Sequence, residues 1–106
     1  MAGQVHHVAV NSVNFEETVH FFQELFDMEV QRAAGEAPER KLWFRQGIQV
    51  NEVPGIGPGG GVYDHIGIQV SNRERTLAKA LSMGCGAIEG KYWFTAPEGF
   101  VIELME

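Results

Sequence analysis

The stretch IELME at residues 102–106 has the alternation of a short β-strand and places one carboxylate, Glu103, between two apolar neighbours. A closely similar stretch, IQVNE at residues 48–52, has Gln49 at the position of that carboxylate. Each stretch closes one half of the chain, and each carries a side-chain oxygen that can bind a metal ion. The sequence therefore predicts a duplicated unit that ends twice on the same kind of strand.

Histidines open the two halves in the same way. His7 lies in the apolar stretch VHHVAV, and His65 lies in YDHIGI. Further along, KLWF in the first half corresponds to KYWF in the second, and internal similarity of this kind indicates a repeated structural unit. We expect one domain over residues 1–106, made of a first module (1–53), a linker rich in Gly and Pro (54–61) and a second module (62–106).

Each module is predicted to contain a strand, a helix and three further strands. In the first module, Asn14 is the expected N-cap with Glu17 as its capping-box partner, and the helix runs to about Asp27. Apolar residues then recur at helical spacing, and we expect them to face the sheet: Phe15, Val19, Phe22, Leu25 and Phe26.

The second helix is predicted on the same grounds. Ser71 is the expected N-cap with Glu74 as its partner, and Gly84 ends the helix. The expected inner face consists of Leu77, Ala78 and Leu81.

Composition limits the possible partners. The 106 residues carry a formal net charge of −6, which argues against nucleic acid and against an anionic membrane surface. The single cysteine, Cys85, excludes an intrachain disulfide and fits a reducing cytoplasm. No apolar run is long enough to span a membrane, and the N-terminus lacks the pattern of a signal peptide, so we expect a cytoplasmic protein that binds a small molecule.

Alternation along the strands separates apolar faces from faces with donor atoms. The purely apolar faces should pack on the helices, which leaves His7, His65, Glu103 and Gln49 on the opposite side of the sheet. If the sheet curves, these side chains converge in a cleft. Two imidazoles and a carboxylate with open positions suit Fe(II), Mn, Ni, Zn or Co, and such an ion polarises a carbonyl as a Lewis acid.

On these residues, and on the turn APEG followed by FVIEL near the C-terminus, the whole chain resembles the vicinal oxygen chelate superfamily of glyoxalases, bleomycin resistance proteins and extradiol dioxygenases. The resemblance implies an α+β fold of two βαβββ modules, with a cupped eight-stranded mixed sheet and the helices on its outer face. It also implies a homodimer, in which modules of different subunits can pair.

The resemblance assigns roles to the donor residues. In that superfamily the positions of His7, His65 and Glu103 supply metal ligands, and Gln49 matches a fourth ligand position. Glyoxalase I proteins usually have a glutamate there that also acts as a base. Since the Gln49 amide cannot take a proton, the pattern is nearer to extradiol dioxygenases and fosfomycin-resistance thiol transferases, and Glu103 is the remaining aligned candidate for a base.

Two classes of function follow, and a scaffold that has lost its activity is a third option. The first is a metal-dependent lyase, isomerase or dioxygenase whose substrate chelates the metal through adjacent oxygens. The second is a metal-independent protein that binds or sequesters a ligand, as bleomycin resistance proteins do. A structural role for each histidine, and a core role for Trp93, are the plainer alternatives. Residues expected to line a substrate cleft are Asn51, Gln69, Arg45, Tyr92 and Trp93.

Overall fold

The computed structural model describes residues 3–55, 62–90 and 92–106, and within them the chain forms eight β-strands and two α-helices. The strands belong to a mixed sheet, which confirms the predicted α+β class with the order βαβββ in each half. Residues 56–61 of the expected linker and Lys91 lie outside the described residues. The elements are β1 (Gln4–Ser12), α1 (Phe15–Phe26), β2 (Val30–Ala34), β3 (Lys41–Phe44), β4 (Ile48–Glu52), β5 (Tyr63–Gln69), α2 (Arg73–Ser82), β6 (Gly86–Ala87), β7 (Trp93–Thr95) and β8 (Val101–Met105).

The chain divides into two compact units. The first unit consists of residues 7–64, with strand order β2-β3-β4-β1, and the second of residues 65–106 with residues 1–6, with strand order β5-β8-β7-β6. In each unit the first strand of the βαβββ module runs parallel to the last strand of that module: β1 pairs with β4, and β5 pairs with β8. Among the described residues, neither helix is long and apolar enough to cross a membrane.

The core of the first unit lies between α1 and one face of its strands. Phe15, Leu42, Phe44 and Val50 are buried, and Val19 and Phe22 pack against them. These residues follow the 3.6-residue period of the helix and the two-residue period of the strands, as expected.

Three details of the predicted first helix are wrong. Leu25 and Phe26 do not face the sheet and are 61 % and 55 % exposed. The Phe26 ring instead lies against the Phe21 ring on the helix surface, with 5.9 Å between the ring centroids. Asn14 occupies the N-cap but makes no side-chain cap hydrogen bond, so the capping box with Glu17 does not form. A helical apolar stripe identifies the residues able to pack, but the extent of the sheet beneath the helix decides which of them do.

The second unit packs α2 on the apolar face of its strands, around buried Ala80, Phe94, Ile102 and Leu104. The predicted N-cap is wrong by one residue, because Asn72 accepts a hydrogen bond from the Arg75 backbone N–H at 3.0 Å. Gly84 follows the end of the helix with φ +93°, a conformation that favours glycine. The inner face is also corrected: Leu77 packs on the core, but Ala78 and Leu81 are exposed, and Ala80 is buried in their place.

Arg40 joins three elements of the first unit. Its Nε donates to Glu52 Oε1 at 2.8 Å and its Nη2 to Glu52 Oε2 at 2.9 Å, in the bidentate geometry that suits a carboxylate. Its Nη1 donates to Glu16 Oε1 at 3.1 Å, and the guanidinium lies over the Phe15 ring. These bonds raise the Arg40 pKa and hold the Glu52 pKa below its ordinary value, since both ionised forms are stabilised.

We expect Glu52→Gln to lower the urea midpoint of unfolding at about pH 7. Because the Glu52 pKa is lowered from 4.5 in the folded protein, the pair stabilises the fold above that pH, and this contribution is lost as the pH falls through the lower pKa. The difference between variant and wild type should therefore shrink below about pH 4. Glu16→Gln is the matched control, since the Glu16 side chain is 83 % exposed, and an equal loss in both variants would contradict the assignment.

A second prediction compares two leucines. Leu104→Ala removes a buried side chain from the core of the second unit and should reduce the free energy of unfolding by about 2–5 kcal/mol. Leu25→Ala, on the exposed side of α1, should reduce it by less than about 1 kcal/mol. Urea denaturation followed by tryptophan fluorescence measures both, and a larger loss for Leu25→Ala would refute the placement of the two residues.

Candidate metal centre

The pairing of β5 with β8 brings a histidine and a carboxylate together in the second unit. Ile66 lies opposite Ile102 and Gly67 opposite Glu103 in the parallel register. The isoleucines face α2, so His65, Gly67 and Glu103 share the other face. Gly67, which has no side chain, lies between His65 and Glu103 on this face, and the Glu103 carboxyl group contacts His65.

The contact between these two side chains is direct. His65 Nε2 lies 3.1 Å from Glu103 Oε1, and His65 is only 4 % exposed. Trp93 is the register partner of Glu103 on β7, and its ring lies 4.5 Å from the His65 ring, centroid to centroid. The imidazole is therefore held between a carboxylate and an indole, away from bulk water.

The donor atoms of this pair fit one metal ion. Two ligand atoms that lie about 2.1 Å from an ion at nearly a right angle are about 3 Å apart. The observed 3.1 Å between Nε2 and Oε1 meets that requirement, and it also fits a hydrogen bond between the same atoms. The pair is thus compatible with both a ligand role and a structural role.

The first unit carries a different polar system on the face opposite α1. His7, Gln49 and Asn51 are buried there, and the register places Gln49 beside Ala9 and Asn51 beside Asn11. Gln49 Nε2 donates to Asn51 Oδ1 at 2.8 Å. The first unit therefore also has a sheet face with polar side chains and a buried histidine.

The polar chain continues to two residues that the sequence analysis did not select. Asn51 Nδ2 donates to Asn11 Oδ1 at 3.3 Å, and Asn11 Nδ2 donates to Asp64 Oδ1 at 3.3 Å. Asn11 shares the face of His7 by strand alternation, and this was the available signal. Asp64 lies 53 residues further along the chain, so only the fold brings it to Asn11. Burial, together with the charge of Asp64, raises the pKa of the neighbouring Tyr63.

The residues expected to bind substrate fall in several places. Trp93 and Gln69 lie on the face of His65 and Glu103, and Asn51 lies on the face of His7. Tyr92 lies on the α2 side, where its hydroxyl donates to Glu74 and its ring stacks with Arg73. Arg45 is exposed after β3, where its backbone N–H donates to the Glu29 carbonyl. The structure therefore does not group Tyr92 and Arg45 with the donor residues.

One further contact on the polar face of the first unit was not anticipated. The Arg32 guanidinium lies over the Trp43 ring at 4.5 Å, and Trp43 is the register partner of Gln49. A cation stacked on an aromatic ring therefore lies on the strands next to Gln49.

Comparison with solved structures identifies the fold. Hypothetical protein BH1468 from Bacillus halodurans matches over 98 % of this chain and 94 % of its own, with a TM-score of 0.75 and 12 % identity. A variant of Streptomyces coelicolor methylmalonyl-CoA epimerase, in complex with 2-nitronate-propionyl-CoA, matches over 95 % of this chain and 94 % of its own, with a TM-score of 0.70 and 14 % identity. A halotolerant catechol dioxygenase matches over 94 % of this chain and 39 % of its own, with a TM-score of 0.69 and 10 % identity.

No protein-family model and no curated protein matches the sequence. The structural neighbours nevertheless share one architecture, and the chain has the vicinal oxygen chelate fold. At these identities the likeness establishes the fold, whereas the activity has to be argued from the side chains.

Proposed function

We propose that this chain is a small metal-dependent enzyme of the vicinal oxygen chelate type, with His7, His65 and Glu103 as protein ligands of a divalent ion. The observation that carries the proposal is the contact of His65 Nε2 with Glu103 Oε1 at 3.1 Å, between a buried imidazole and a carboxylate whose side chain is 26 % exposed. Removing these donor atoms from water has a cost, and a metal ion would compensate it. Further support comes from the kinds of side chain, since two imidazoles and one carboxylate form a ligand set that suits a divalent metal ion.

The metal would act as a Lewis acid on a substrate that offers two adjacent oxygens. His65 would be a rigid ligand, because the Trp93 ring lies against the imidazole with 4.5 Å between the ring centroids. Glu103 is partly accessible, with a side chain 26 % exposed, so it is the proposed base as well as a ligand. Gln49 would be a weak fourth ligand or a substrate contact.

The reaction class is a lyase, isomerase or dioxygenase step. The named activities of the neighbours, an epimerase of methylmalonyl-CoA and a catechol dioxygenase, set the first substrates to test, namely acyl-CoA esters and catechols. A homodimer is part of the same proposal, and sedimentation velocity measures it.

Metal content tests the ligand set. Protein purified without chelator and supplied with Fe(II), Mn, Ni, Zn or Co should bind about one ion per chain by elemental analysis. His7→Ala, His65→Ala and Glu103→Ala should each reduce this to below about a tenth of an ion, because each removes one of three protein ligands.

His20→Ala is the matched control, since His20 lies on the exposed surface of α1 and its ring contacts only Glu24, at 3.8 Å, among the ion pairs of the described residues. Its metal content should equal that of the wild type. A wild-type protein that stays below about a tenth of an ion after incubation with every metal would refute the proposed enzyme.

A metal-independent binding protein is the second candidate, and the half-buried Trp93 ring beside His65 favours it. In that case an aromatic ligand would stack on Trp93, and the metal would not take part. Ligand binding followed by tryptophan fluorescence separates the two candidates: binding that survives His7→Ala and Glu103→Gln but is lost in Trp93→Ala supports the binding protein, whereas loss in all three variants supports the metal enzyme.

A further inference from the structure

Four polar side chains of the first unit form a continuous series of hydrogen bonds. It runs from Gln49 through Asn51 and Asn11 to the Asp64 carboxylate, over bonds of 2.8, 3.3 and 3.3 Å. Three members are neutral amides, each with a donor end and an acceptor end, and the fourth is an anion. We propose that Asp64 sets the direction of this series and thereby determines which end of the Gln49 amide is left available on the face of His7.

The direction follows from the chemistry of the terminal group. An ionised carboxylate only accepts hydrogen bonds, so the Asn11 side chain must turn its NH₂ group towards Asp64. The Asn11 oxygen is then the end left for Asn51, which must donate to it. The Asn51 oxygen in turn accepts from the Gln49 NH₂ group.

The opposite direction is unfavourable because it creates an acceptor–acceptor contact. If every amide were reversed, the Asn11 oxygen would face the Asp64 oxygen across 3.3 Å. Asn11 and Asp64 are half-buried, so only part of this contact is open to water that could relieve it. With the carboxylate in place, the observed arrangement avoids this acceptor–acceptor contact, whereas the reversed arrangement does not.

The direction of the series determines how the Gln49 amide is oriented, at the end opposite Asp64. With its NH₂ group held by Asn51, Gln49 leaves Oε1 for other partners, and within the described part of the chain no hydrogen bond to this oxygen is present. An amide oxygen is a ligand for a hard cation or an acceptor for a substrate hydroxyl, whereas an NH₂ group in its place would repel a cation. Asp64, Asn11 and Asn51 are thus positioning residues that act through Gln49.

The use of Oε1 as a fourth metal ligand rests on the proposed function, but the direction of the series does not. The first test is therefore a double-mutant cycle on metal-free protein at about pH 7, with chemical denaturation as the readout. Gln49→Glu replaces the terminal NH₂ donor by an acceptor, which forces an acceptor–acceptor contact somewhere along the series while Asp64 is present. Asp64→Asn removes that conflict, because an asparagine can donate to Asn11 and let every amide reverse.

We expect Gln49→Glu to lower the folding equilibrium constant about tenfold more in the Asp64 background than in the Asp64→Asn background. Other contacts of Asp64 are lost in both proteins of the second background, so they cancel in the comparison. Gln31→Glu, at an exposed glutamine of β2, is the matched control and should have the same effect in both backgrounds. If Gln49→Glu lowers the folding equilibrium constant equally in the two backgrounds, the proposal is overturned.

The second test concerns the ligand role and uses Mn(II) as the probe. Asp64→Asn leaves His7, His65, Glu103 and Gln49 in place but allows Gln49 to present its NH₂ group. We expect about a threefold to tenfold weaker Mn(II) affinity, restored when Gln49→Glu is combined with it. If Asp64→Asn leaves the Mn(II) affinity unchanged but the double-mutant cycle shows the expected coupling, Asp64 directs the series and Gln49 Oε1 is not a metal ligand. Absence of Mn(II) binding in the wild type would refute the metal enzyme without affecting the result of the cycle.

Discussion

Strand alternation is the constraint on which the rest of this structure depends. Along β5 and β8, every second residue packs under α2, and the residues between them carry His65, Gly67 and Glu103. Buried polar groups are tolerated on such a face only when they are paired, because desolvation of an unpaired group costs several kcal/mol. The pairing of His65 with Glu103, and of Gln49 with Asn51, is what the alternation requires.

The two units meet this requirement in different ways. In the second unit a carboxyl group lies beside an imidazole, with 3.1 Å between Glu103 Oε1 and His65 Nε2. In the first unit the buried partners are neutral amides, for which direction matters more than charge. The repeated backbone thus carries a carboxyl–imidazole pair in one unit and a hydrogen-bonded row of amides in the other. Repetition of the fold does not make the chemistry of the halves equal.

The shared fold leaves the activity open for a physical reason. An epimerase acting on methylmalonyl-CoA and a catechol dioxygenase have the same architecture as this chain at 10–14 % identity. The sheet positions donor atoms and the helices stabilise the sheet, whereas the substrate is selected by side chains that differ between these proteins. In this chain the polar faces carry Trp93 against His65, Arg32 over Trp43 and the amide series that ends at Gln49.

The sequence by itself determined the order of the elements, the repeat and the placement of His65 and Glu103 on the polar faces of their strands, because two-residue and 3.6-residue periods are local properties of the chain. It also selected Gln49 and Asn51. Only the tertiary structure decided that Leu25 and Phe26 stay exposed, that Tyr92 packs on α2, and that Asp64 meets Asn11 across 53 residues. Periodicity fixes the face on which a side chain lies, but the element that lies opposite depends on contacts between distant segments.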